Sequence, residues 1–334
     1  MRRWSYLGLG LAFVAAMLLA LNMGRYPISP AQVLVLLAPG IEHLFHAPEV
    51  PAQMQLIFFQ VRLPRIVMAC LVGAAQSGAG ASYQGIFKNP MASPDILGAT
   101  AGASFGAALA LLNQQSHWVV VGSAFCFSLL AVALVLVIGR RARGGRILTL
   151  VLAGIMVGSL FSACTSFTKL VADPDNTLPA ITYWLMGSLA TATPAAVRFA
   201  ALPIVLGLVP LILLRWRMNL LTLGDTEARA MGINTGRLRA IVIVAATLIT
   251  ATSVSVSGVI GWIGLVMPHL TRRITGSDLK HLLPASLVMG AIFLLLVDIV
   301  SRTLWTSEIP LGILTAFIGA PFFLTLILRV DREQ

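Results

Sequence analysis

The side chains able to do chemistry are few and unevenly placed. Asp225, Glu227, Arg229, Arg237 and Arg239 all fall within one polar stretch, 219–239, of a 334-residue chain in which only 10% of residues are charged. Ion pairing and docking are the chemistry such groups offer. Read locally, the stretch is a short capped helix followed by a second one. Asp225 can accept hydrogen bonds from the free N–H groups of a first turn. Thr226 to Met231 suits a helix, with Glu227 near its positive end. Gly232 suits the left-handed stop position, and Asn234 or Thr235 can cap the next helix. Taken alone, the stretch reads as an ordinary connecting loop.

Four other places carry charge or break the apolar pattern. Asp298 and Arg302 lie four residues apart in an apolar run, so they share a helix face and can pair. An acid at membrane depth is a functional candidate, but with that partner a structural pair is the better reading. Arg62-Leu-Pro-Arg65 opens another apolar run and suits either interfacial anchoring or docking to an acidic partner. The stretch 88–98, KNPMASPDILG, has two prolines that remove backbone donors. Asn89, Ser93 and Asp95 can satisfy the freed groups, giving a tight polar turn. Lys169 lies near the end of its run and can snorkel.

Catalytic and metal chemistry find no constellation. The five histidines, His43, His46, His117, His269 and His281, form no zinc-type pair. Cys70, Cys126 and Cys164 all lie inside apolar runs and read as small buried residues. No G-x-x-x-x-G-K-[ST] phosphate loop is present, so any ATP used must be bound by another polypeptide.

The elements that position these residues are membrane spans. The chain is 58% hydrophobic, with a mean hydropathy of +0.91. Soluble domains carry about 25% charged residues. Apolar runs at 7–24, 66–86, 97–112, 118–139, 147–171, 195–214, 240–257, 258–271, 282–300 and 309–328 predict ten spans and an all-α polytopic fold with a short cytoplasmic helix between spans six and seven. The N-terminal run lacks a convincing cleavage site and is read as an uncleaved first span. The weak point is 240–271, too short for two full crossings and rich in Gly and Pro at its second half. A short or broken span is expected there. With the N-terminus in the cytoplasm, all but six of the 23 Lys and Arg residues fall on the cytoplasmic side. The six are Arg25, Arg62, Arg65, Lys169, Arg198 and Arg302. This places 219–239 in the cytoplasm and both termini inside. The net charge of +11 follows from that bias rather than from nucleic-acid binding. Gly98, Gly102 and Gly106, and also Gly154 and Gly158, recur every fourth residue and suit close helix packing.

Six motifs in order complete the pattern: RLPR at 62–65, QGIFKNPMASPDILG at 84–98, WLMGSL at 184–189, LGDTEARAMG at 223–232, GVIGWIGLVMPH at 258–269 and EIPLGILTAFIGAPFF at 308–323. The sequence resembles the FecCD-type permease subunit of bacterial ABC importers for vitamin B12, iron-siderophore complexes and haem, over nearly its whole length. The resemblance implies one transmembrane permease domain, 1–334, in the inner membrane. It implies a homodimer with a central pathway, two cytoplasmic ATPase subunits that hold ATP and Mg, and a periplasmic substrate-binding protein. The chain itself would be neither an enzyme nor a holder of cofactors or metals. It implies that Leu223, Gly224, Asp225, Glu227, Ala228, Arg229 and Gly232 form the ATPase-coupling element. Asn89 and Met91 match the cytoplasmic gate, with Met91 where many relatives carry Leu. Arg62, Arg65 and Arg302 match outer arginines that receive the binding protein. Span five should line the pathway through Ser159, Ser162, Thr165 and Ser166. The family also includes molybdate and tungstate importers, and an ion-coupled secondary carrier remains the reading from another class.

Overall fold

The computed structural model describes residues 2–38, 50–141 and 146–330. His43, His46, Arg143 and Arg332 lie outside the described residues. The described chain is helical: α1 (Arg2–Asn22), α2 (Pro30–Leu37), α3 (Ala52–Phe87), α4 (Ala99–Leu112), α5 (His117–Arg141), α6 (Arg146–Val171), α7 (Thr177–Leu185), α8 (Pro194–Leu223), α9 (Asp225–Ala230), α10 (Thr235–Ser257), α11 (Ile263–Thr275), α12 (Leu279–Thr303) and α13 (Leu311–Val330). Seven of these, namely α1, α3, α5, α6, α8, α10 and α12, are long and apolar enough to cross a membrane. The apolar helix α4, the stretch Leu311–Thr325 of α13 and the short α11 fall below that length. The protein is an integral membrane protein.

Helix α3 is the axis of the bundle. It packs against α12, α10, α8, α11 and α1, and Ala75 to Phe87 are buried all round. Hydrophobic drive between helices is weak in lipid, so close packing must come from small residues. A Cβ at Gly73 would lie 2.3 Å from the carbonyl oxygen of Gly290 on α12. One at Gly80 would lie 1.8 Å from that of Gly264 on α11. The backbones therefore meet directly. Polar side chains add cross-links. The hydroxyls of Tyr83 and Thr247 share a 3.2 Å hydrogen bond, and Gln84 Nε2 donates to the Gly264 carbonyl at 3.3 Å. The glycines read from local spacing serve the same purpose. Gly102 and Gly106 bring α4 onto the α5 backbone at Phe127 and Ser123, and Gly154 seats α6 under Ile96.

The expected break at 240–271 is present. Helix α10 ends at Ser257 and α11 begins at Ile263, with Gly258 at φ 66° and Trp262 at φ 71° between them. Thirteen residues of α11 rise about 20 Å, short of a ~30 Å hydrocarbon core. The exposed backbone is satisfied by protein. The Ser257 carbonyl accepts from Ser188 N at 2.8 Å, Leu311 N donates to Gly187 O at 2.9 Å, and Gly312 N donates to Met186 O at 2.9 Å. Three motifs far apart in sequence thus knit into one seam at the broken span. Unpaired backbone is tolerated at membrane depth only under such cover.

The two ends of the bundle are also fixed. At one end the Tyr6 hydroxyl meets His281 Nδ1 at 2.9 Å. At the other, α1 ends against Arg62 and Arg302. Opposite ends of α1 therefore sit with the start and the finish of α12, as alternating spans require.

Candidate functional site

The polar stretch folds as two helices with a turn between. Helix α9 starts after Gly224, whose φ of 148° lies where side chains are rarely accepted. A Cβ there would also meet the Glu227 carboxylate. Gly232 takes the left-handed stop at φ 79°, with Ile233 N returning to Ala228 O at 3.0 Å. Asn234 caps α10 by accepting from Arg237 N at 2.9 Å. One expectation is corrected: Asp225 does not cap α9. Its carboxylate instead accepts two hydrogen bonds from Arg239, at 2.6 and 2.7 Å. A bidentate guanidinium–carboxylate pair is stronger than a single backbone cap.

That pair gives α9 an inside and an outside. Ala228 is buried and Asp225 turns inward, while Leu223, Glu227, Arg229 and Met231 stay exposed. The Arg229 guanidinium reaches the Thr235 hydroxyl at 3.5 Å. The hydrogen bonds from Arg239 hold the Asp225 carboxyl below the usual carboxylate range, against an opposing push from burial, and Arg229 and Lys88 add to the effect. The surface left outside mixes charge with large apolar side chains. Apart from the Arg229–Thr235 contact, this surface stays exposed among the described residues.

The proline-interrupted turn after α3 lies beside this pair. Lys88 is left-handed at φ 52°, and the α3 carbonyls of Gly85 and Gln84 accept from Lys88 N and Asn89 N. Asn89 Oδ1 accepts from Met91 N at 2.8 Å, which closes the turn. Asn89 therefore does satisfy a freed backbone group as expected. Asp95 instead accepts the Thr100 hydroxyl. Asn89 and Met91 are both exposed.

A groove of about 640 Å³ runs between the 94–104 segment and α6, lined by Asp95, Thr100, Ser104, Gly158, Ser159 and Ser162. Ser166 is exposed further along α6, its hydroxyl bonded to Ser162 O at 3.0 Å. Thr165 is different: it is buried, and its hydroxyl bonds back to Phe161 O. Sequence reasoning missed Thr100 and Ser104 as lining residues. Their one-turn spacing was a usable signal, masked by the alanines and glycines around them.

The outer arginines are turned inward. Arg62, Arg65 and Arg302 are only 4, 6 and 6% exposed. Arg65 pairs with Asp298 and with Glu308, both at 2.8 Å, and Arg302 approaches the other Asp298 oxygen at 3.4 Å. Arg62 donates to the carbonyls of Leu21 and Tyr26, and Arg302 to Ala20 O at 3.0 Å. The expected Asp298–Arg302 pair is present, but as part of this larger network. Arg25, which sequence reasoning placed on that side without giving it a role, is an exposed cation there among the described residues.

Residues 12–329 match the model of the FecCD transport family. The molybdate import system permease protein MolB of Haemophilus influenzae is 39% identical over 97% of this chain and 95% of its own. A probable iron chelatin transport system permease protein of Helicobacter pylori is 42% identical over 86% of each chain. Other relatives are named as cobalamin and hemin permeases. A solved ABC transporter in an inward-facing conformation superposes with a TM-score of 0.87 at 37% identity, covering 98% of this chain and all of that one. The chain belongs to the FecCD transport family and is an ABC transporter permease.

Proposed function

We propose that the chain is the permease of a type II ABC importer in the bacterial inner membrane. It works as a homodimer with two cytoplasmic ATPase subunits and a periplasmic binding protein, and ATP and Mg reside on the ATPases. Ten spans, counting α4, α11 and α13, put both termini in the cytoplasm. The observation that carries this reading is α9: a helix outside the spans, anchored by Asp225 on one face and exposed on the other among the described residues. Such a helix suits insertion into a groove on the ATPase. Leu223, Gly224, Asp225, Glu227, Ala228, Arg229 and Gly232 form this coupling element. Asn89 and Met91 close the cytoplasmic mouth. Ser159, Ser162 and Ser166 line the pathway, while the inward-facing Thr165 holds the helix.

Arg62, Arg65 and Arg302 serve the binding protein by shaping the outer surface from beneath. Direct contact falls to the exposed Arg25, whose Nε is held by the Arg302 carbonyl at 3.3 Å. The cargo in this reading is an iron chelate (siderophore or haem) or cobalamin, for which a mildly polar, weakly binding groove is suited. A second cargo, molybdate or tungstate, is favoured by one observation: the molybdate permease relative spans almost the whole chain.

ATP-driven uptake into vesicles holding the assembled complex tests the reading, with haemin, cyanocobalamin, ferric citrate and molybdate offered in parallel. The expected result is uptake of one cargo class that requires the ATPase. Uptake by the purified chain alone on a proton or sodium gradient would reject it. Asp225→Ala with Glu227→Ala should abolish assembly or ATP-driven uptake; an intact double variant removes the coupling role.

A further inference from the structure

We propose that Arg239 is a positioning residue that carries the movement of α9 to the turn at Asn89–Met91. The inference rests on the coupling role of α9 proposed above. One edge of the guanidinium grips Asp225 through Nη1 and Nη2. Its Nε donates to the backbone carbonyl of Ile86, in the last turn of α3, at 3.4 Å. The side chain is almost fully buried. It therefore links α9 and α3, while α9 itself packs chiefly on α8 and α10.

The electrostatics explain why a cation must stand there. The last carbonyls of a helix carry partial negative charge. Those of Gln84 and Gly85 are satisfied by Asn89 N and Lys88 N, and Arg239 serves Ile86. The Asp225 carboxylate lies just beyond. Without the guanidinium, a full negative charge would face the negative end of α3, and the two would repel. With it, the carboxylate, guanidinium and carbonyl form one short chain. Arg suits this place better than Lys, because its planar fork offers donors in two directions at once. Three residues past Ile86 lies Asn89, whose side chain closes the turn onto Met91. A displacement of α9 toward or away from the membrane therefore reaches that turn along hydrogen bonds already in place.

The test uses the assembled complex in vesicles and reads cargo taken up per ATP hydrolysed, with haemin, cyanocobalamin, ferric citrate and molybdate as probes. Arg239→Gln is expected to keep ATP hydrolysis while uptake per ATP falls roughly tenfold, within the range for residues that couple two sites. Arg239→Lys should fall between the two. The charge swap Asp225→Arg with Arg239→Asp rebuilds the ion pair but puts a carboxylate against the end of α3, so it should stay uncoupled. A merely structural residue would lower the amount of assembled complex and leave the ratio unchanged. An unchanged ratio in Arg239→Gln overturns the relay, as does full recovery in the swap. If Arg239→Gln does not assemble, Arg239→Lys decides: a lowered ratio supports the relay and an unchanged one overturns it. A wild-type complex that takes up none of the probes on ATP overturns the importer and cargo reading proposed above and the relay with it.

Discussion

Arginine and carboxylate meet at both ends of this bundle, but in different surroundings. At the outer end, Asp298 is buried between Arg65 and Arg302, and Glu308 completes the set. At the inner end, a buried Arg239 reaches a single carboxylate, Asp225, whose side chain is 42% exposed. The outer set joins α1, α3, α12 and the segment before α13 and is mostly buried, with the Glu308 side chain 22% exposed. The inner pair joins a spanning bundle to a small helix with an open face. A closed network resists separation; a half-open pair can be loaded from outside. On the proposed coupling role of α9, identical chemistry serves cohesion at one end and mechanical input at the other.

The comparison breaks most sharply at Asp298. Asp298→Ala leaves Arg302 buried without an acid and Arg65 with Glu308 alone. The expected loss is about 3–5 kcal/mol, as for other buried pairs with one partner removed, read as a large drop in the thermal midpoint in detergent. The next largest effect lies between the two ends. Gly80→Val drives side-chain atoms into the Gly264 backbone and should cost about 1–3 kcal/mol or more, seen in the same unfolding measurement. At the inner end, Asp225→Asn should lower stability by less than about 1 kcal/mol, because the pair is partly solvated. It should nevertheless cut uptake per ATP severalfold. A variant that unfolds as readily as Asp298→Ala would erase the distinction between the ends.

Two smaller effects sharpen it. Arg25→Glu should slow association with the binding protein a few-fold and weaken its salt dependence, as for a rim charge, with no change in the thermal midpoint. Arg65→Glu, in contrast, should unfold the chain. Acid provides the last check. The Asp225 carboxyl is held below its ordinary value, so its pairing contributes fully above the unfolded carboxylate range. That contribution is lost only as pH falls through the lower folded value. Uptake per ATP should therefore show no titration from this pair between about pH 5 and about pH 8. A carboxylate-dependent loss within that window would contradict the geometry.

Much of this was legible in the residues. The apolar runs located the helices. Gly258, Gly261 and Gly264 announced the broken span. Gly232 and Asn234 marked the turn between α9 and α10 because capping is a local matter. Partners distant in sequence were not legible. Gly73 and Gly290 touch across more than two hundred residues, and neither belongs to a local fourth-residue repeat. Asp225 looked like a cap because a cap needs only its neighbours, whereas Arg239 arrives from the next helix. Arg62 and Arg65 looked like surface cations because their run is short and faces outward. Sequence alone does not show that Asp298 and Glu308 pair with Arg65, or that the Leu21 and Tyr26 carbonyls hold Arg62.

The glycine contacts of α3 have a mechanical consequence. Where backbone lies on backbone, no side-chain rotamer can flex to absorb a push, and packed interiors compress little. Helix α3 is locked in this way to α11 at Gly80 and to α12 at Gly73, with Arg62 and Arg65 tied down nearer its start and Ile86 at its end. It behaves as a stiff rod with little play along its length. A tilt imposed at the Ile86 end is then passed along the helix rather than absorbed by side chains. The two faces of the membrane are joined by a lever rather than by a sequence of separate steps.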